Sequence, residues 1–288
     1  PQHRHFRRQR QMCIRDRPTT FKSYLKLSKL RVIELLLVTT VPSMVISIYG
    51  MPPLSLVIYT LAGGTLLAIS ANVMNQVLEV ETDKLMERTS DRPIVTGELT
   101  KTNGIIYSIS SGLIGFLILY SLVTPLSSFI GLAANIFYVF IYTLILKPRT
   151  NQNIVIGGAS GAAPVLIGWT ATGSELETGP WVLFLLVFMW TPAHFWALSI
   201  ENKADYKNAE FPMLPIQESY KRTCIFIGIY SCSTVLISLV AAPILQLGII
   251  YLFVSIFFGV NLMYKAFNLY RKKIKPINYF IFSNSCVL

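Results

Sequence analysis

The sequence predicts an all-α protein, a polytopic membrane helix bundle, on three observations. Of its 288 residues, 53% are hydrophobic and 14% charged, and the apolar residues fall in blocks of about 20, the length of a helix that crosses a hydrocarbon core. The 25 Lys and Arg gather at the N-terminus and in every second connection, leaving the connections between them bare. Ten of the 14 acids sit in two of those basic connections.

The net charge of +11 therefore reports orientation in a membrane. Basic residues beside spans stay on the cytoplasmic side. That expectation places the N-terminus and the acid-bearing loops in the cytoplasm, with the protein multi-pass in a bacterial inner membrane or archaeal-type plasma membrane. The excess charge then faces an anionic leaflet or ligand, and nucleic acid is excluded as the partner. Cys13, Cys224, Cys232 and Cys286 lack metal-ligand spacing. The first apolar run is too long for a cleavable signal peptide and has no small-residue cleavage site.

In chain order, residues 1–20 are Arg-rich and without apolar periodicity. They are expected to be a disordered basic tail or an artefact, with the membrane domain over 21–288. Span one, 32–49, carries Glu34, a group costly in lipid that is expected to pair with Arg31 or Lys29. Span two, 54–73, runs on into "NQVLEVETDKLMERTSDRP". Continued as a helix, it sets Asn72, Asn75, Gln76, Glu79 and Asp83 three or four residues apart, on one stripe from apolar depth to the cytoplasmic mouth. Like charges at i, i+4 repel, so a cation is expected between or beside Glu79 and Asp83.

Spans three and four, 104–123 and 126–146, share a bare turn, and span four ends at Lys147 and Arg149. Span five, 154–171, contains Gly157 and Gly161, a G-x-x-x-G step that predicts close helix packing. Span six, 181–200, holds "WTPAHFW", with Trp190, His194, Phe195 and Trp196; a polar ring at this depth faces protein or a cavity. After it, Glu201 and Asp205 repeat the i, i+4 spacing. Spans seven and eight, 223–240 and 244–267, follow, and a ninth opens at Ile277 and is expected to be cut short at Leu288.

Two oxygen-ligand pairs facing one another at a membrane mouth suit Mg²⁺, which takes one or two carboxylates and fills its octahedron with water and substrate phosphates. Lys84, Arg88, Arg92, Lys147 and Arg149 stand on the same side, placed for phosphate oxygens. A solvated connection of mixed charge has the same composition, but the one-face spacing in both halves favours a site. Two acid-bearing loops separated by four spans also suggest two related halves, as in transporters. Transporters place coupling groups near the midplane, whereas these acids concentrate at one mouth.

"NQVLEVETDKLMERTSDRP" resembles the N-x-x-x-D-x-x-x-D motif of the UbiA-type intramembrane prenyltransferases. "LRVIELLLVTTVP", "LKPRTNQNIVIGGASGAAPVLIGW" and "WTPAHFWALSIENKADYKNAEFPMLP" are similar to the protoheme IX farnesyltransferase branch of that family. The resemblance runs from about Phe21 to the end. It departs at Glu79, where the family has Asp, and at Ala193, where Pro is common.

The resemblance implies a nine-helix bundle with a central cavity, farnesyl diphosphate and haem b as substrates, and haem O as product. It implies Mg²⁺ on Asn75, Glu79, Asp83, Asp205 and Glu201, with Asn72, Lys84, Arg88, Arg92, Lys147 and Arg149 about the diphosphate. His194 is then either a structural histidine or a haem contact, and Trp190, Phe195 and Trp196 are either the lining of an isoprenoid channel or interface-belt aromatics. A downstream haem-modifying or oxidase-assembly protein is implied as partner. An aromatic acceptor, such as a quinone or chlorophyll precursor, shares the diphosphate site and differs around His194; a transporter is the alternative from another class.

Overall fold

The computed structural model describes residues 21–286, except for the side chains of residues 31–37. The expected tail at 1–20 and the expected pairing of Glu34 lie outside the described residues. Every regular element described is helical. A short amphipathic helix, α1 (Phe21–Ser28), precedes α2 (Leu30–Ser47) and α3 (Leu54–Leu78). One further turn, α4 (Val80–Asp83), extends α3, and then come α5 (Lys101–Leu122) and α6 (Pro125–Ile136). α6 continues as a π-helix over Phe137–Leu146.

The second half contains α7 (Asn153–Ala171), α8 (Thr178–Glu201), the short α9 (Lys203–Asn208) and α10 (Leu214–Gln217), then α11 (Tyr220–Ile244), α12 (Gly248–Tyr270) and α13 (Pro276–Asn284). Among the described residues, seven helices are long and apolar enough to cross a membrane: α3, α5, α6 with its π extension, α7, α8, α11 and α12. The expectation was eight full spans and a ninth. The difference lies in α2, whose apolar stretch is described only over Val38–Ser47, and in α13, which has nine residues. The chain is a multi-pass membrane protein.

Small residues let these helices approach closely, which is what holds a bundle together where lipid offers no hydrophobic driving force. A β-carbon on Gly63 would stand 2.7 Å from Leu119 Cγ, and one on Gly115 would stand 2.8 Å from the Gly63 carbonyl oxygen, so α3 and α5 meet nearly backbone to backbone. Hydroxyls add polar links: Ser108 Oγ donates to the Ser70 carbonyl at 2.8 Å, and Ser43 Oγ to the Val165 carbonyl at 2.6 Å. α7 is the most enclosed of the spanning helices, with 67% of its apolar window buried. Ile106, Ile109 and Leu113 of α5 and Ile250, Phe253 and Phe257 of α12 are exposed, the surface a bilayer solvates.

Candidate functional site: paired carboxylates beside a cation-rich cavity

α3 keeps its inward stripe beyond its last full turn. Glu79 N donates to the Asn75 carbonyl at 3.0 Å and Asp83 N to the Glu79 carbonyl at 2.8 Å, so helical hydrogen bonding carries the expected register across the break at Glu79. Asn72, Asn75, Gln76, Glu79 and Asp83 are all buried. The connection after α4 folds back over them: Met86 and Thr89 are buried, and Thr89 Oγ1 donates to the Asp83 carbonyl at 2.9 Å. Asp83 is only 2% exposed, so the carboxylate at the charged end of the stripe is withdrawn from solvent.

Each carboxylate has its own cation. Lys147 Nζ lies 2.6 Å from both oxygens of Glu79, and Arg92 pairs with Asp83. Asn75 Nδ2 donates to Thr143 Oγ1 at 3.2 Å. Burial, opposed by Arg92 and reinforced by the neighbouring Glu79 charge, holds the Asp83 carboxyl above the usual carboxylate range. The ammonium of Lys147 also lies 4.6 Å from the centroid of Phe211, in the stretch after α9.

The two acid-bearing connections meet. Asp205 accepts from the backbone N–H groups of Glu87 and Arg88 at 3.2 and 3.3 Å, and Arg88 donates to Tyr206 Oη at 3.1 Å. The expected Glu201–Asp205 face is not formed. α8 ends at Glu201 and Asn202 breaks the helix, so Asp205 belongs to α9 while Glu201 is exposed. Among the described residues, no three His, Cys, Asp or Glu side chains form a metal-binding group. Lys84 turns outward to an exposed pair with Glu81 at 2.8 Å, and Arg149 is exposed. Glu81 is held below the usual carboxylate range by its hydrogen bond to Lys84.

Beside the carboxylates lies a cavity of about 250 Å³ lined by Lys26, Lys29, Gln76, Arg88, Thr89, Asp91, Arg92 and Pro93. Lys26 is answered by Asp91 at 2.9 Å and Arg92 by Asp83, while among the described residues no ion pair is found for Lys29 or Arg88. Lys29 is pulled down to about 7, first by burial and then by repulsion from Arg92 and Lys147; Asp83 and Glu79 pull the other way. Gln76 Nε2 donates to the Leu27 carbonyl at 2.6 Å, and its buried Oε1 has no partner among the described residues. Surplus positive charge and an unused acceptor beside two buried carboxylates suit a polyanion that carries a cation or proton with it. The spacing argument did not reach Lys29: it lies 50 residues from Glu79 in sequence, and only its place just before a span hinted at a role.

His194 and Trp190 form a separate group. The imidazole is stacked between Trp190 and Phe280, each 4.2 Å away by ring centroids, and its Nδ1 lies 2.7 Å from Ser283 Oγ. Ser283 Oγ also donates to the Phe280 carbonyl at 2.8 Å. A hydroxyl has one proton, so both contacts are hydrogen bonds only when His194 Nδ1–H donates to Ser283 and leaves the lone pair on Nε2. Trp190 Nε1 donates to the Ser283 carbonyl at 2.8 Å. Phe280 and Ser283 come from α13, far along the chain, and no local motif pointed to them.

Apolar helices that bury two ion-paired carboxylates beside a cation-rich cavity define a multi-pass membrane protein. The chain belongs to the UbiA prenyltransferase family, whose model matches residues 36–285. It is 42% identical over 252 residues to the protoheme IX farnesyltransferase of Paenarthrobacter aurescens, covering 88% of this chain and 79% of that protein. Against the protoheme IX farnesyltransferase of Synechocystis it is 43% identical over 249 residues, 86% of this chain and 79% of that one.

Solved structures share the fold. A UbiA homologue from Aeropyrum pernix superposes with a TM-score of 0.74 at 15% identity, over 89% of this chain and 94% of that one. A UbiA homologue from Archaeoglobus fulgidus, bound to DMAPP and Mg²⁺, gives 0.65 at 15% identity, over 92% and 99%.

Proposed function

We propose that this prenyltransferase moves the farnesyl group of farnesyl diphosphate onto a vinyl group of haem b, giving haem O. The observation that carries the donor half is the buried Glu79 and Asp83, answered by Lys147 and Arg92 beside the Lys29–Arg88 cavity. The acceptor half rests on the relatives at 42 and 43% identity, named protoheme IX farnesyltransferase.

Asn75, Glu79 and Asp83 supply only oxygen donors from one helical face, and Asp205 lies across the mouth, which fits a hard cation such as Mg²⁺ that keeps waters and takes phosphate oxygens. A Mg²⁺ in a UbiA homologue of the same fold supports the same choice. Asn72 and Glu201 belong to the sequence-derived set, Asn72 buried on the stripe and Glu201 outside the contacts made at the mouth. Asn75, Glu79, Asp83 and Asp205 would hold such an ion, which would supply countercharge to the departing pyrophosphate.

The chain's own groups then do the rest. Lys147, Arg92, Arg88 and Lys29 offer N–H donors to diphosphate oxygens, and their fixed positive charge stabilises the anion that leaves as the allylic C–O bond breaks. The vinyl carbon of haem bonds to the allylic carbon, and water adds to the resulting cation on the porphyrin side and releases a proton. His194 presents Nε2 as a lone-pair donor toward the acceptor, and Trp190 holds that ring in its stack. The N-terminus and the site face the cytoplasm, in the inner membrane, as the one-sided basic loops indicate.

The test is incubation of membranes containing the protein with haem b, farnesyl diphosphate and Mg²⁺, followed by mass analysis of the extracted haems. Appearance of hydroxyethylfarnesyl haem supports the reading. A prenylated aromatic compound with haem b unchanged overturns it.

A further inference from the structure

The lysine that answers Glu79 does not stand on an α-helix. It follows the ten-residue π-helix Phe137–Leu146, and its own N–H bonds back five residues, to the Tyr142 carbonyl, at 2.9 Å. Thr143 Oγ1 likewise reaches back five residues, to the Tyr138 carbonyl, at 2.9 Å. π-turns are rare, and they persist where surrounding structure holds them. Here the holding contact is visible. Tyr142 packs on α7 at Gly157, where an added β-carbon would fall into the ring edge, 2.9 Å from Cε2, 3.1 Å from Cγ and closer still to Cδ2. No side chain but hydrogen fits there while the ring stays in place.

The consequence is a matter of register. Asn135 Nδ2 donates to the Leu67 carbonyl, Asn75 to Thr143, and Lys147 to Glu79, each pair separated by 68 residues. Two parallel helices thus keep step from the middle of α3 to its charged end. Rewinding the π-turns to α would rotate Thr143 and Lys147 by a good part of a turn relative to Asn135 and break the last two rungs.

We propose that Gly157 is a positioning residue for the carboxylate site: by omitting a side chain it seats the Tyr142 ring, which holds the π-turns that set Thr143 and Lys147 opposite Asn75 and Glu79. The kinetic half of this inference rests on the diphosphate reading of that site; the packing half does not.

The experiment is a pair of double-mutant cycles on the purified full chain. Gly157→Ala is expected to raise KM for farnesyl diphosphate on the order of 10- to 100-fold, the range that a displacement of about 1 Å can produce. Gly157→Ala in a Tyr142→Ala background is expected to have little further effect, because the clash is gone. A control, Gly63→Ala, closes another contact under 3 Å, on Leu119 away from the site, and is expected to lower thermal stability without moving KM.

Thermal unfolding supplies the arm that needs no turnover. The stability lost to Gly157→Ala should shrink in a Lys147→Met, Glu79→Gln background, since residues acting as one unit are not additive. Additive losses in both cycles, or a Gly63→Ala variant with the same KM shift, would overturn the proposal. If every variant and the wild type lack farnesyl transfer while the unfolding cycle stays non-additive, the functional reading fails and the positioning role stands.

Discussion

Lys147 Nζ sits equidistant, at 2.6 Å, from the two carboxylate oxygens of Glu79, and both side chains are withdrawn from solvent, 14 and 8% exposed. A buried pair of this kind adds little net stability over an apolar pair, yet removing one partner strands the other charge and costs about 3–5 kcal/mol. Lys147→Met should therefore lower the unfolding temperature sharply. Adding Glu79→Gln should restore much of it. Turnover should stay low in both, because the proposed phosphate contact is lost in each and the proposed metal donor is lost as well in the double variant. Thermal unfolding in detergent alongside haem O formation checks this, and full activity in the double variant would remove the pair from the mechanism.

Asp83→Asn should abolish turnover and also destabilise. The carboxylate is buried against Arg92, and an amide leaves that guanidinium without its countercharge, at a cost of about 3 kcal/mol. Glu79→Asp keeps the charge and shortens the reach, so raised Mg²⁺ should recover part of its activity but none of that of Asp83→Asn. Titrating Mg²⁺ against rate for both variants is the measurement. Near-normal rates for Asp83→Asn at low Mg²⁺ would end the metal-clamp reading.

The stripe Asn75–Glu79–Asp83 was legible because helical periodicity survives the break after Leu78. The same template failed at Glu201 and Asp205, where Asn202 ends the helix, leaving Glu201 exposed while Asp205 alone meets the first connection. It was also silent about Thr143, because the contact depends on a π-helical register that a 3.6-residue period does not describe. Lys29 and Gln76 became a site only when the connection after α4 folded back beside α1, a long-range event that local pattern does not encode. The burial of Asp83 has the same origin. Charge in a connection reads as exposure until the connection is seen to cover it.

Lys29 gives the site a dependence on pH. Its folded pKa, about 7, lies below the ordinary 10.5, so between those values the unfolded chain holds a proton that the folded one has released. Stability of the ligand-free protein should then rise with pH across that window, and the penalty for burying the charge is complete only below about 7. A bound diphosphate favours the ammonium and should draw a proton in at pH 8. Calorimetric titration of farnesyl diphosphate in buffers of different ionisation enthalpy reads that proton directly. Lys29→Gln should abolish the uptake; an unchanged value in this variant would assign the proton elsewhere.

His194 separates the two substrates. Its ring is clamped between Trp190 and Phe280, and with Nδ1–H given to Ser283 its remaining nitrogen keeps a free lone pair, the form that ligates a metal or accepts a hydrogen bond. Positioning of an acceptor within about 3–3.5 Å of the allylic carbon is worth orders of magnitude in rate. His194→Ala should thus weaken haem binding or turnover far more than binding of farnesyl diphosphate, whose proposed contacts are Lys147, Arg92 and the Lys29 cavity. Ser283→Ala removes the partner that fixes the tautomer and should give a milder loss of the same kind. Haem and the diphosphate are titrated separately into wild type and both variants. Equal loss of both ligands in His194→Ala would mark the ring as a brace for α13 alone, whereas a selective loss of haem, repeated more weakly in Ser283→Ala, would place the acceptor against Nε2.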